Sequence, residues 1–134
     1  MAVKTIGGLF LLGQSSSDMC ADNFLSETPS PNRKLKAVLF QIDCGATTGF
    51  NSHVAIMPIN NSLSNEPQGV FENRSFFATD TDHGKAPIGE GGGPEVRLKW
   101  ASDTKLEIQY HELARVIRAD KTSKGVSVVY HTFH

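Results

Sequence analysis

The chain has 134 residues, 39% of them apolar, with 13 lysines and arginines against 14 aspartates and glutamates and a net charge of −1. One core accounts for that length, and the scattered basic residues form no dense cationic face of the kind nucleic acid requires. No apolar run approaches the roughly eighteen residues of a membrane-spanning helix.

Residues 1–17 read either as a leader-like segment or as a first strand. Lys4 precedes "IGGLFLLG", and the polar "QSSSD" follows, a secretory leader in miniature without a small-residue cleavage site. Leu11 to Gln14 reads "LLGQ" where a lipoprotein signal carries cysteine. Gln14 has no thiol to acylate, so no lipid anchor is expected at this position. Residues 18–134 read as a single β domain. Its two cysteines, Cys20 and Cys44, do not make a zinc pattern, which wants four close-spaced soft or imidazole ligands. An even count after a leader-like start suggests one disulfide, with two buried thiols as the alternative. A bridge of that span would stabilise the fold by roughly 3–4 kcal/mol in the chain-entropy model.

Period-two patterns dominate the remainder. "KLKAVLFQID" (Lys34 to Asp43) is apolar on both faces through its middle, as a central strand should be, and the "PNRK" before it supplies a turn. Gly45 and Gly49 of "DCGATTGF" let the chain reverse, so "SHVAIMPI" (Ser52 to Ile59) pairs antiparallel with the first strand and ends at Pro58, which cannot donate to a ladder. A weaker strand is expected near Val70 to Phe77. The loop Thr79 to Pro94, with five glycines and two prolines, follows it. Glu95 to Ala101 and Lys105 to Tyr110 read as a hairpin around "SDT". Val96, Leu98 and Trp100 face Leu106, Ile108 and Tyr110 on its inner side, while Arg97 and Lys99 meet Glu107 outside. "ELARVIRA" (Glu112 to Ala119) fits a short helix but is too short to hold one alone, so strand is favoured. "GVSVVYHTF" closes the chain by alternation. The expectation is an all-β fold with room for one short helix: an antiparallel β-sandwich or strongly curled sheet of about seven strands.

Chemistry-bearing residues are sparse. Cys44 as a nucleophile would need a base or cation to lower its pKa; Asp43 beside it pushes the other way, and neither His53 nor His83 stands at a recognised spacing. "DTDHG" offers Asp80, Asp82 and His83, but a calcium loop of the EF-hand type needs a third oxygen ligand before the glycine and a late glutamate. Such aspartates are more often turn formers. "GEGGGP" lacks the helix that a phosphate cradle requires. The serine of "GFNSH" does not make a nucleophile elbow, and His131 and His134 fall on opposite strand faces. His111 is expected to face solvent. Because long structured loops tend to be functional, Asp80, Asp82, His83 and Glu90 form the candidate binding loop. No catalytic residue, metal ligand or cofactor is assigned.

"SPNRKLKAVLFQIDCGATTGFNSHVAI", together with "DHG" and "GGGPEVRLKW", resembles an uncharacterised family of small bacterial envelope and lipoprotein-like proteins. These carry an "SPDGK-x-KAVVF-x-x-DCGATTGF" signature after a "D-M-C" triplet, matched here by Asp18, Met19 and Cys20. The resemblance runs from about Asp18 to Tyr130. It implies an exported β protein with Cys20 bonded to Cys44, and no activity. The chain departs from the pattern at Gln14, and at Asn32 and Arg33, where the family has aspartate and glycine. The resulting expectation is a non-enzymatic exported, periplasmic or envelope β module that binds through its long loop or an exposed strand edge, with edge-to-edge homodimerisation a natural consequence. The alternative is a metal-dependent or hydrolytic enzyme centred on the 79–94 loop, with Asp80, Asp82 and His83, and Glu90 or His53 in support.

Overall fold

The computed structural model describes residues 21–43, 50–62 and 75–134. Among the described residues nine strands make two sheets: β1 (Ala21–Pro29), β2 (Leu35–Asp43), β3 (Phe50–Pro58), β4 (Phe77–Asp80), β5 (Val96–Ser102), β6 (Lys105–His111), β7 (Arg115–Ala119), β8 (Thr122–Ser123) and β9 (Val126–Phe133). The first sheet runs β1-β2-β3-β4-β7 and the second β5-β6-β9-β8. The fold is all-β and sandwich-like, and no described segment is a helix long and apolar enough to cross a membrane.

The doubly apolar run of β2 has its explanation in burial on both faces. Ala37 and Leu39 join Val54 and Ile56 of β3 in the inter-sheet core, against Val96, Leu106, Ile108, Val126 and Val128 of the second sheet. Val38, Phe40 and Ile42 form a second cluster with Ala55 and Met57 on the opposite face. Phe77 is fully buried and lies between the rings of Tyr110 and Tyr130, at 5.6 and 5.4 Å. Trp100 closes one side of the sandwich: its indole Nε1 donates to the Thr28 carbonyl of β1 at 2.8 Å. This contact joins an edge of one sheet to an edge of the other.

The two expected hairpins form. β2 pairs antiparallel with β3, Leu39 opposite Val54, and β5 with β6, Leu98 opposite Ile108. β3 ends at Pro58. Lys99 stands opposite Glu107, whereas Arg97 bonds to Glu95 at 2.8 Å and lies over the Phe133 ring. Residues 115–119 are strand, not helix, because a turn at Glu112 to Ala114 carries the chain from the second sheet to the first.

Several expectations need correction. β1 was not read from the sequence, and Glu27, Thr28 and Pro29 show why: they hide the period. The strand expected near Val70 to Phe77 begins at Phe77 within the described residues and runs to Asp80. The arrangement is not wholly antiparallel, since β6 and β9 run parallel. The intervening β7 pairs with β4 in the other sheet and reverses the chain once; the turn at Lys124 and Gly125 reverses it again. Both turn residues have positive φ, 52° and 78°, the conformation of a type I′ hairpin. His111 is buried rather than solvent-facing. Its Nδ1 accepts the Leu113 amide at 3.0 Å, and its ring meets Phe133 edge-on.

Candidate functional site

Asp80 ends β4 directly opposite Arg115 of β7. The guanidinium grips both carboxylate oxygens, at 2.5 and 3.2 Å, and the Asp82 amide donates to Oδ1 at 2.9 Å. Burial pulls the Asp80 carboxyl upward, but the bonds from Arg115 and Asp82 and the neighbouring positive charge outweigh it and hold the group below the usual range. Beyond it the chain turns through three successive left-handed residues, Asp82, His83 and Gly84, with φ of 54°, 60° and 86°. Thr81 Oγ1 accepts the Gly84 amide, and Lys85 pairs with Asp82 at 3.4 Å. Asp80 is thus a strand-pairing anchor, while Asp82 and His83 shape a tight turn. Among the described residues no three His, Cys, Asp or Glu side chains gather as a metal ion would require.

His53 lies elsewhere, on the second face of the first sheet. Its ring stacks on Phe40 at 5.2 Å, Nδ1 is 3.1 Å from Ser75 Oγ, and Nε2 is buried without a hydrogen-bond partner. Desolvation lowers its pKa to about 4, so the imidazole is neutral at pH 7. Among the described residues no hydrogen bond, ion pair or ring contact joins His53 to Asp82 or His83.

The glycine-rich loop is organised by two polar residues that the sequence reading did not connect with it. Gln41 and Ser52 occupy inward positions on β2 and β3, next to Leu39 and Val54, and both are fully buried. Gln41 Nε2 donates to the Glu90 carbonyl at 3.0 Å and to Ser52 Oγ at 3.3 Å, and Ser52 Oγ donates to the Pro94 carbonyl at 2.8 Å. The loop makes a short 3₁₀ turn at Glu90–Gly92 and closes on itself through the Gly89 amide and Gly93 carbonyl, 2.7 Å apart. A Cβ on Gly93 would come within 2.7 Å of Gln41 Nε2 and 2.8 Å of Ser52 Oγ, and one on Gly91 within 2.5 Å of Gln41 Oε1. The glycines are there because the backbone lies directly against this amide and hydroxyl. They do not follow from an anion site. The available signal was a glutamine and a serine at core-facing positions of adjacent strands, ahead of a glycine run.

Seated in this way, the loop walls one side of a cleft of about 310 Å³ that opens between the edge strands β1 and β5. Leu25 and Ser26 of β1, Leu39 of β2 and Val96 of β5 line it, with Glu90 and Pro94 from the loop. Of the expected binding residues, Glu90 lines this cleft, whereas Asp80, Asp82 and His83 do not. Cys20 and Cys44 lie outside the described residues, which contain no cysteine and show no disulfide. Comparison with known proteins finds no matching family model, curated relative or solved structure.

Proposed function

We propose that the protein is a non-enzymatic exported or envelope β module that holds a small ligand in the cleft between β1 and β5. The observation that carries this reading is the cleft itself, with an apolar floor and a wall fixed by the buried Gln41 and Ser52 hydrogen bonds. An apolar pocket with few, fixed polar groups is the usual form of a ligand site. Binding by strand addition is less favoured, because each long edge is interrupted. The register slips at Leu25 in β1, at Ala101 in β5 and at Ile117 in β7, and the remaining edge, β8, has two residues. Bulged and short edges resist pairing with a second sheet, which counts against the edge-to-edge dimer expected from the sequence.

Export is supported by the resemblance, which also pairs Cys20 with Cys44. On that resemblance we propose the Cys20–Cys44 bridge, formed by loss of two protons and two electrons to a disulfide donor of an oxidising compartment. Thiol alkylation before and after reduction tests it: two additional alkyl groups are expected only after reduction.

Native mass spectrometry of protein isolated from its own cells tests the cleft. The expected result is a retained small-molecule adduct that Ser26→Phe, which fills the cleft, removes. An adduct indifferent to Ser26→Phe, or none at all, contradicts the proposal.

A further inference from the structure

Resting on the cleft reading for its role, we infer that Gly89–Gly93 is a movable wall of the cleft: a strap that lifts from its seat on Gln41 while both sheets stay folded. The seat leaves one hydrogen-bonding group without a partner. The Glu90 carbonyl can only accept, so the Gln41 amide turns its Nε2 toward it. Both Nε2 protons are then used, on Glu90 and Ser52, and Oε1 is fully buried with no partner. Turning the amide over would set Oε1 against the Glu90 carbonyl and leave Nε2 unpartnered instead. Neither orientation satisfies both ends. A buried acceptor without a partner costs at least as much as one ordinary hydrogen bond contributes, so the Gln41–Glu90 bond holds the strap with little surplus. Lifting the strap breaks that bond and gives water to the Glu90 carbonyl and to Oε1 together.

The strap is built to move as one piece. It closes on itself through the Gly89 amide and Gly93 carbonyl at 2.7 Å and the Gly92 amide and Gly89 carbonyl at 3.3 Å. Its base is fixed, since Ile88 and Pro94 form a β-bridge and Ser52 Oγ donates to the Pro94 carbonyl at 2.8 Å. Its tip, Glu90–Gly92, is held less firmly. Among the described residues the bond from Gln41 is the one hydrogen bond between this tip and either sheet. The rest is contact: a Cβ on Gly91 would stand 2.5 Å from Gln41 Oε1 and 3.0 Å from Leu25 Cδ2, and one on Gly92 3.1 Å from the Phe50 ring. Gly91 and Gly92 both have positive φ, 83° and 103°, so the tip turns without placing a side chain in the seat. Gly89 and Glu90 line the cleft. Lifting the tip therefore widens the cleft beyond its closed volume of about 310 Å³ and uncovers Gln41 behind the wall; seating it closes the wall over whatever has entered.

Hydrogen exchange of the Gln41 side-chain amide in the full chain, followed by NMR, tests this, because its protons meet water only when the strap lifts. After correction for intrinsic rates, they are expected to exchange about tenfold or more faster than the Leu106 and Ile108 backbone amides of the interior strand β6, with little dependence on urea below the unfolding transition, the mark of a local opening. Gly91→Ala, whose Cβ would press on Oε1, should speed the Gln41 exchange by about a further tenfold relative to β6. Gly125→Ala is equally left-handed, with φ of +78° and nothing within 4 Å of a Cβ, and should leave that ratio unchanged. Gln41 protons that exchange only with β6, and with the same urea slope, overturn the inference on the unsubstituted chain alone. A Gly91→Ala ratio no different from that of Gly125→Ala overturns it as well. Saturating hexanol should slow the Gln41 exchange about threefold or more by holding the wall closed. Fast exchange that hexanol leaves unchanged supports the strap and counts against the cleft as the ligand site.

Discussion

Gly93→Ala is the sharpest probe of how the cleft wall is held. Gly93 has φ of −94°, so alanine meets no conformational penalty there, and whatever it costs is steric. Its Cβ would lie 2.7 Å from Gln41 Nε2 and 2.8 Å from Ser52 Oγ, and relief requires each to retreat by about 0.7 Å to reach ordinary contact near 3.5 Å. That retreat breaks the bonds to the Glu90 and Pro94 carbonyls, now 3.0 and 2.8 Å long. Two buried hydrogen bonds at about 1 kcal/mol each, with overpacking strain of about 1 kcal/mol, give roughly 3 kcal/mol. In a chain of this size that is a fall in Tm of about 10 °C. Urea denaturation followed by fluorescence of Trp100, the single tryptophan, measures it. Gln41→Ala removes one of the two obstructing groups, so Gly93→Ala should cost about 1 kcal/mol less in that background. Gly125→Ala is the control: its φ is +78° with nothing within 4 Å of a Cβ, so its cost of about 1 kcal/mol should not change with Gln41. A Gly93→Ala variant within about 0.5 kcal/mol of the parent would refute the seating of the loop on Gln41 and Ser52.

Three further outcomes are expected. His53 has its pKa lowered to about 4 by burial, so the unfolded chain takes up a proton first, near pH 6.5. Stability should therefore be full above that pH and fall by about 3 kcal/mol by pH 4; urea titrations across this window should show the slope flattened in His53→Phe. Arg33 and His83 are held at φ of 59° and 60°, where glycine is favoured. Arg33→Gly and His83→Gly should each raise the urea midpoint by the equivalent of about 0.5–1 kcal/mol, and a loss at His83 would instead mean that its side chain contributes contacts to the turn. Light scattering after size exclusion should give the monomer mass of 14.6 kDa, as interrupted edges require, whereas a concentration-dependent dimer would show that an edge pairs despite its bulge.

The parts of the fold set by local alternation could be read in the sequence. Leu98 and Ile108 face one another as their period demands, and the double burial of β2 is visible in "KAVLF". Pairings that depend on where the chain returns were not visible: the parallel β6–β9 ladder exists because β7 crosses to the other sheet. The turn at Arg33 illustrates a partial signal. "PNRK" reads as a turn from Pro31 and Asn32, and the residue that takes the left-handed conformation is the next one, Arg33. The site was least legible. Asp80 and His83 drew attention as chemistry-bearing types, yet Asp80 is consumed by Arg115 and His83 by its turn. Gln41 and Ser52, chemically plain, take their importance from being buried beside a glycine run that is distant in sequence.

The central claim concerns the cleft, and methyl-resolved NMR tests it most directly. With hexanol, a small apolar probe, added stepwise to the full chain, saturable shifts are expected at the methyls of Leu25, Leu39 and Val96, which line the cleft. The methyls of Val116 and Ile117 on the exposed edge strand β7 should stay in place. Shifts concentrated on β7, or linear drifts at every methyl alike, would contradict the account.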